Sequence, residues 1–203
     1  MTVIHVKNPQ DPRVRRTRKL LEQAFQSLLQ EKGFQSVTVQ DIAERAEVNR
    51  ATFYAHFDDK YNLLDTMMRE RFREQLDARF AETSSVTADS LLTMCLTIFE
   101  FLDGVFHSCR RDEQIGPTLE AAVHDVLSAF ISDRLNTCQP PAAALGDSET
   151  TAQVIASTLI GTGSWWSQGD RRLPAEELAR RVVAILMHGV AGALQGNATV
   201  SEG

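Results

Sequence analysis

Long apolar runs, paired cysteines and helix breakers are all scarce in this chain. No stretch of about 18 apolar residues occurs, which excludes a membrane-spanning helix of ordinary length. The opening MTVIHVKNPQDPRVRR lacks the apolar core of a signal peptide, so the expectation is a protein of the cytosol. The three cysteines, Cys95, Cys109 and Cys138, are odd in number, widely spaced and without a CxxC pair. That excludes a disulfide framework and leaves free thiols in a reducing compartment. No GxSxG occurs and no strand precedes a candidate nucleophile, so serine-hydrolase chemistry has no constellation to stand on. His107, Cys109 and His124 do not make a metal set, because an i, i+2 pair does not share a helix face. No catalytic residue, metal site or cofactor is therefore expected. Only 11 glycines and 6 prolines punctuate 203 residues, which leaves room for long uninterrupted helices.

Charge is present but lopsided. Residues 1–60 carry ten Lys or Arg against eight Asp or Glu, a net of +2, whereas residues 61–203 carry eleven against nineteen, a net of −8. All four lysines lie at or before Lys60, and six basic residues fall between Lys7 and Lys19 against Asp11 alone. A polyanion would be drawn only to the N-terminal end, and the acidic remainder favours solubility.

Periodicity is helical throughout, with no convincing strand alternation. Asp11 caps a first helix, Pro12 suits its first turn and Gly33 stops it, with Leu20, Leu21, Ala24, Phe25, Leu28 and Leu29 as its inner stripe. Thr38, with Asp41 three residues on, opens a short second helix. After a break at Glu47–Asn49, a third short helix runs from Arg50 to about His56, and a long fourth begins behind Asp58 and Asp59 and ends near Phe80. Further helices are expected at about 88–108, from Pro117 through Leu135, at 150–168 and at 174–194, with QPPAAALGDSE as the clearest loop and a fraying tail. The expected fold class is all-α: an N-terminal three-helix unit over 1–60 and a larger helical body over 61–203.

Two short helices joined by a tight turn make a helix-turn-helix, whose second helix lies in the DNA major groove with its N-terminal residues at the base edges. The segment NRATFYAHFDDKYNLL fits that use. Arg50 can donate two hydrogen bonds to guanine, Ala51 is small enough to touch a thymine methyl, and Thr52 and Tyr54 reach phosphate or base edge. His56 and Lys60 sit where a flanking phosphate would pass, although His56 serves equally well as a cap, and Thr38 offers hydroxyl and amide donors at a helix start. Phe53 and Phe57 read as the wedge that holds the third helix. Arg13, Arg16 and Arg18 on the first helix add cationic arms.

The whole string TVQDIAERAEVNRATFYAHFDDKYNLL, preceded by a basic helix ending EKGF, resembles the TetR family of bacterial transcriptional regulators over roughly residues 13–64. Glu47 departs from the pattern: glycine is usual there, so the expectation is a turn with a non-glycine conformation or a slightly different turn. Ala55 replaces a bulkier residue. Position by position the resemblance implies Thr38, Val39 and Gln40 as groove or phosphate contacts, Arg50, Ala51 and Thr52 as readers, and Tyr54, Ala55, His56 and Lys60 along the phosphate backbone. It also implies a homodimer on near-palindromic double-stranded DNA, repression as the default, and a small-molecule effector bound in the ligand-binding and dimerisation body. A TetR-fold adaptor that grips a protein instead of DNA is the alternative.

The body is less explicit. Its last two helices are expected to form the dimer interface, with Ala156, Gly161, Ala184 and Gly189 permitting close approach. Met94, Phe99, Phe106, His124, Phe130 and Trp165 are candidates for a pocket lining, since apolar spacing does not separate cavity wall from solid core. Two readings stay open for Trp165 and Trp166: core and dimer packing, with rings that fill the gaps at Gly161 and Gly163, or an aromatic pocket wall.

Overall fold

A computed structural model describes residues 11–80, 86–108, 115–137, 147–170 and 172–198, with the side chains of 106–108, 115 and 189–198 outside that description. Every regular element among the described residues is helical: α1 (Pro12–Ser36), α2 (Val39–Arg45), α3 (Arg50–Tyr54), α4 (Lys60–Phe80), α5 (Ala88–Ser108), α6 (Ile115–Thr137), α7 (Ser148–Gln168) and α8 (Ala175–Ala198). None is long and apolar enough to cross a membrane. Two compact units divide the chain, Met1–Met67 with Ser108–Ile115, and Met68–His107 with Gly116–Gly203.

Local chemistry explains the boundaries. The Asp11 carboxylate accepts from the Arg13 amide at 2.8 Å and so starts α1. Gly33 leaves the helical region with φ 73, a left-handed value that glycine tolerates, and kinks the chain three residues before the element ends. Asp59 accepts from the Asn62 amide at 2.8 Å to start α4. Helix α7 begins two residues earlier than the sequence suggests, because Asp147 accepts from both the Glu149 and Thr150 amides.

In the N-terminal unit the core is Leu21, Phe25, Leu28, Phe34, Ile42, Phe53 and Phe57, all buried. The body buries its own set, including Phe72, Leu76, Met94, Ile98, Phe99, Phe130 and Leu159. Arginines fasten α4 to its neighbours there. Arg79 reaches the Thr97 hydroxyl at 2.9 Å and Glu100 at 2.6 Å on α5. Arg69 pairs with Asp125 on α6 at 2.9 Å, and Arg134 donates to the Phe80 carbonyl at 3.1 Å with its guanidinium 3.5 Å from the Phe130 ring centre. Cys95 is buried, and that burial pushes its thiol up to about 12, out of reach of thiolate chemistry at neutral pH. Cys109 and Cys138 lie outside the described residues.

Gly163 sets the approach of α5 to α7. A Cβ at that position would sit 3.0 Å from Phe99 Cδ1, 3.1 Å from Leu102 Cδ1 and 3.3 Å from Ile98 Cγ2. The gap is thus filled from α5 and not by a tryptophan ring. Gly163→Ala should destabilise the body by about 1 kcal/mol, because overpacking of about 1–3 kcal/mol outweighs the roughly 1 kcal/mol that alanine contributes to helix propensity. A urea midpoint lowered at unchanged slope would register it.

Candidate nucleic-acid interface

The turn between α2 and α3 decides how α3 is presented. The Val48 amide donates to the Ala43 carbonyl at 2.9 Å and the Glu47 amide to the Glu44 carbonyl at 3.1 Å, a Schellman closure of α2. Such a closure puts its C′ residue in the left-handed region, and Glu47 takes φ 56. The expectation of a non-glycine conformation is corrected: the glycine-type turn is kept and a glutamate bears it. A left-handed non-glycine residue costs about 1–2 kcal/mol, while glycine loses somewhat more chain entropy on folding. Glu47→Gly should therefore raise the stability of the N-terminal unit by about 0.5–1 kcal/mol, seen as a higher denaturation midpoint.

Helix α3 starts on Asn49, whose side-chain oxygen accepts from the Thr52 amide at 2.7 Å and its hydroxyl at 3.0 Å. This cap lies outside the sequence-derived site, although an asparagine directly before a helical run is a readable signal. Phe53 and Phe57 are buried with ring centres 5.9 Å apart and hold α3 from below, as their spacing predicts. On the opposite side Arg50 and Ala51 are exposed, and Tyr54 is 49% exposed. Arg50 rests its guanidinium 5.9 Å from the Tyr54 ring centre and donates to the Tyr54 hydroxyl at 3.3 Å. The Arg50 and Tyr54 side chains are thus turned outward and rest on each other.

The remaining predicted positions differ in how much donor capacity they retain. Arg16 is exposed, as are Arg13, Arg15 and Lys19 on the same helix. Arg18 is half-buried, paired with Glu22 at 2.9 Å and set over the Phe57 ring. The Thr38 hydroxyl donates to Asp41 at 2.6 Å and its amide donates to the same carboxylate at 2.8 Å, a complete capping box. Thr38 therefore caps α2, and its expected phosphate donors are already committed. Asp41 is held well below the usual carboxylate range, first by the Lys32 ammonium 2.8 Å away and then by Thr38. Val39 is half-buried and Gln40 exposed, the latter donating to Glu44. Thr52 is half-buried with its hydroxyl on Asn49, and His56 has its Nε2 end buried beside Phe57.

Lys60 already has partners inside the chain. Its ammonium donates to the carbonyls of Phe34 and Val37 at 2.9 Å each and reaches that of Gln35 at 3.4 Å, with the Phe34 ring centre 4.4 Å away. These carbonyls belong to the turn that follows the Gly33 kink and leads out of α1, and the ammonium satisfies them. In the free protein Lys60 therefore fastens α4 to the end of α1.

The candidate pocket residues of the body are not drawn to one wall. Met94, Phe99 and Phe130 are buried at 0%, 1% and 2% exposure. Phe99 is covered by the stacked Trp166 ring at 5.4 Å, and Phe130 by Phe80 and Arg134. His124 bridges α6 to α7 by a 3.0 Å hydrogen bond with Ser157. The side chain of Phe106 lies outside the described residues. Trp165 is 66% exposed and lines an open groove of about 520 Å³ with Trp166, Gly169, Asp170, Arg172 and Leu173. Trp166 is tied down by its indole N–H, which donates to the Leu173 carbonyl at 2.9 Å. Ala156 is fully buried within the protomer, so it is not available for close approach of a second copy.

Comparison with known proteins bears on the N-terminal unit above all. Residues 20–67 match the family model described as bacterial regulatory proteins, tetR family. The uncharacterized HTH-type transcriptional regulator YxbF of Bacillus subtilis is 41% identical over 68 residues, 33% of this chain and 18% of that protein. The HTH-type transcriptional repressor KstR2 of Rhodococcus jostii is 34% identical over 80 residues, 38% of this chain and 39% of that one. Both alignments thus span well under half of the curated relative. Across 85% of this chain and 98% of the other, the fold follows the transcriptional regulator FadR from Bacillus subtilis in complex with stearoyl-CoA, at 19% identity and a TM-score of 0.52. Residues 20–67 are thus similar to the helix-turn-helix unit of the tetR family of bacterial regulatory proteins, and the rest of the chain is similar to such regulators in fold alone.

Proposed function

We propose that the protein is a DNA-binding transcriptional regulator of the cytosol. In this reading it acts as a homodimer, with one α3 in each of two successive major grooves of a near-palindromic site. The observation that carries this reading is the outward Arg50–Tyr54 pair on a capped α3, in a unit whose α1 also exposes Arg13, Arg15, Arg16 and Lys19. Arg50 reads base edges with Ala51 beside it, Tyr54 reaches the backbone, and the α1 arginines neutralise phosphates. Val39 contributes through apolar contact, Gln40 through the remaining proton of its side-chain amide and Thr52 through its methyl group, with His56 just past the end of α3. Repression as the default is supported by the name of KstR2. Release by a small-molecule effector follows if that molecule binds the non-DNA conformation more tightly, since equal affinity shifts nothing.

A salt series on random duplex tests the reading. With roughly 2–4 phosphate contacts per unit and two units, log K should fall against log salt with a slope of about −4 to −7. The adaptor alternative draws on one specific observation, that the donors of Thr38 and Lys60 are committed inside the protein. Retention that ignores salt, or no retention on duplex at all, would favour it.

A further inference from the structure

Five hydroxyl side chains are buried among the described residues: Ser90, Thr97, Ser128, Ser164 and Ser167. The first three are satisfied. Ser90 donates to the Thr87 carbonyl at 2.9 Å, Thr97 to the Thr93 carbonyl at 2.7 Å, and Ser128 to the Asp125 carbonyl at 3.3 Å. Ser164 and Ser167 on α7 are 7% and 6% exposed, and their hydroxyls have no hydrogen-bond partner. A buried hydroxyl without a partner is costly and calls for a physical reason. Helical hydroxyls often fall back on the carbonyl four residues before them, as Thr158 and Thr162 of this same helix do. Ser164 and Ser167 make no such bond, so two donors and their lone pairs are held ready inside the body.

The pair is placed to act together. Positions three apart on a helix share a face with Cβ atoms about 5–6 Å apart, so one atom set between them lies within hydrogen-bond reach of both hydroxyls. Their surroundings are apolar. Ile160, one turn before Ser164, is buried, and Gly163, one turn before Ser167, faces Ile98, Phe99 and Leu102 of α5. Water alone suits such a place badly, because a buried water takes about three hydrogen bonds. We infer that Ser164 and Ser167 hold between their hydroxyls the uncharged polar group of a mainly apolar small molecule: an alcohol, ketone or amide. A few convergent polar groups in an apolar wall are the usual make-up of a small-molecule site. The held group is uncharged because α7 carries no charged residue after Glu149, and an ion buried without a counter-charge is far too costly. This names the chemical class of the effector in the reading given above. It rests on that reading for any effect on DNA, whereas the binding itself does not.

The test titrates the full chain with 1-octanol, octanoate and octyltrimethylammonium by isothermal titration calorimetry. The three probes share one alkyl chain and differ in the charge of the head. Octanol should bind, and each charged probe should bind at least about 10-fold more weakly. Ser164→Ala and Ser167→Ala should each weaken octanol binding by about 3- to 10-fold, the range of one neutral hydrogen bond, and the double variant by at least about 10-fold. The urea midpoints of the free variants should hold or rise, since each deleted hydroxyl has no partner in the folded chain. A midpoint that falls overturns the premise, because it shows a hydroxyl already satisfied. No octanol binding up to the solubility of the probe, or an affinity untouched in the double variant, overturns the site. A charged probe that binds as tightly as octanol overturns the uncharged class. The regulator reading fails separately, on duplex without octanol: a protein that binds octanol and no DNA keeps this site and loses that reading.

Discussion

Arg50→Ala is expected to weaken binding to the cognate site far more than binding to random duplex. One bidentate contact to guanine discriminates by about 1–3 kcal/mol. A dimer brings two copies of Arg50, so the loss on the cognate site should be about 2–6 kcal/mol, at least about 30-fold in Kd. On random duplex no base contact is optimised, and the change should stay within a fewfold. The geometry favours this separation. The guanidinium already lies against the Tyr54 ring and donates to its hydroxyl, so little rotamer freedom is left to lose when DNA arrives. Tyr54→Phe would remove that tether and keep the ring, and should cost less than the Arg50 change. Fluorescence anisotropy on a cognate and a scrambled duplex, at one salt concentration, separates the cases. Equal losses on both would move Arg50 from reader to phosphate contact, and no loss on either would remove it from the interface.

Elements and caps were the legible layer, because they are set by neighbours in sequence. Asp11 and the Thr38–Asp41 pair announce their roles within four residues and cap their helices accordingly, while Gly33, expected to stop α1, kinks it three residues before its end. What Thr38 does with its donors follows from the same local rule: a hydroxyl that completes a capping box is occupied and cannot also be offered to phosphate. Glu47 shows a different limit. A side chain alone does not reveal that the Ala43 and Glu44 carbonyls close on residues 47 and 48, and that closure forces the left-handed turn whatever occupies it. In the body, apolar periodicity marked Met94, Phe99, Phe130 and Trp165 alike. Only tertiary placement puts three of them in the interior and leaves Trp165 outside. Small residues behave the same way: Ala156 and Gly163 serve contacts within the protomer, and Gly161 alone of the three faces open space.

Lys60→Met should destabilise the N-terminal unit by about 1.5–3 kcal/mol, the range for hydrogen bonds made by a charged donor. The lower half of that range is the better guide, since Lys60 is half-buried and water reaches part of the site. A lysine at the start of a helix is unfavourable to that helix's own dipole, which from sequence alone suggests an outside anion nearby. The structure supplies the compensation from within the chain, 23 to 26 residues away, as the carbonyls of Phe34, Gln35 and Val37. The methionine keeps the aliphatic stem against Phe34 and deletes only the ammonium, so carbonyls that it served are left to whatever water can enter. Lys60→Arg should recover little, because three carbonyls converging on one point suit a compact ammonium and not a planar fork. Thermal or urea denaturation of the purified protein gives the stability term directly. The decisive comparison is with DNA binding, measured well below the unfolding transition. A lysine that fastens α4 to α1 leaves the salt slope unchanged when it is removed, whereas a phosphate contact would make the slope shallower by about one for each unit. Unchanged stability together with a shallower slope would return Lys60 to the phosphate backbone and make its carbonyl partners a resting place of the free protein.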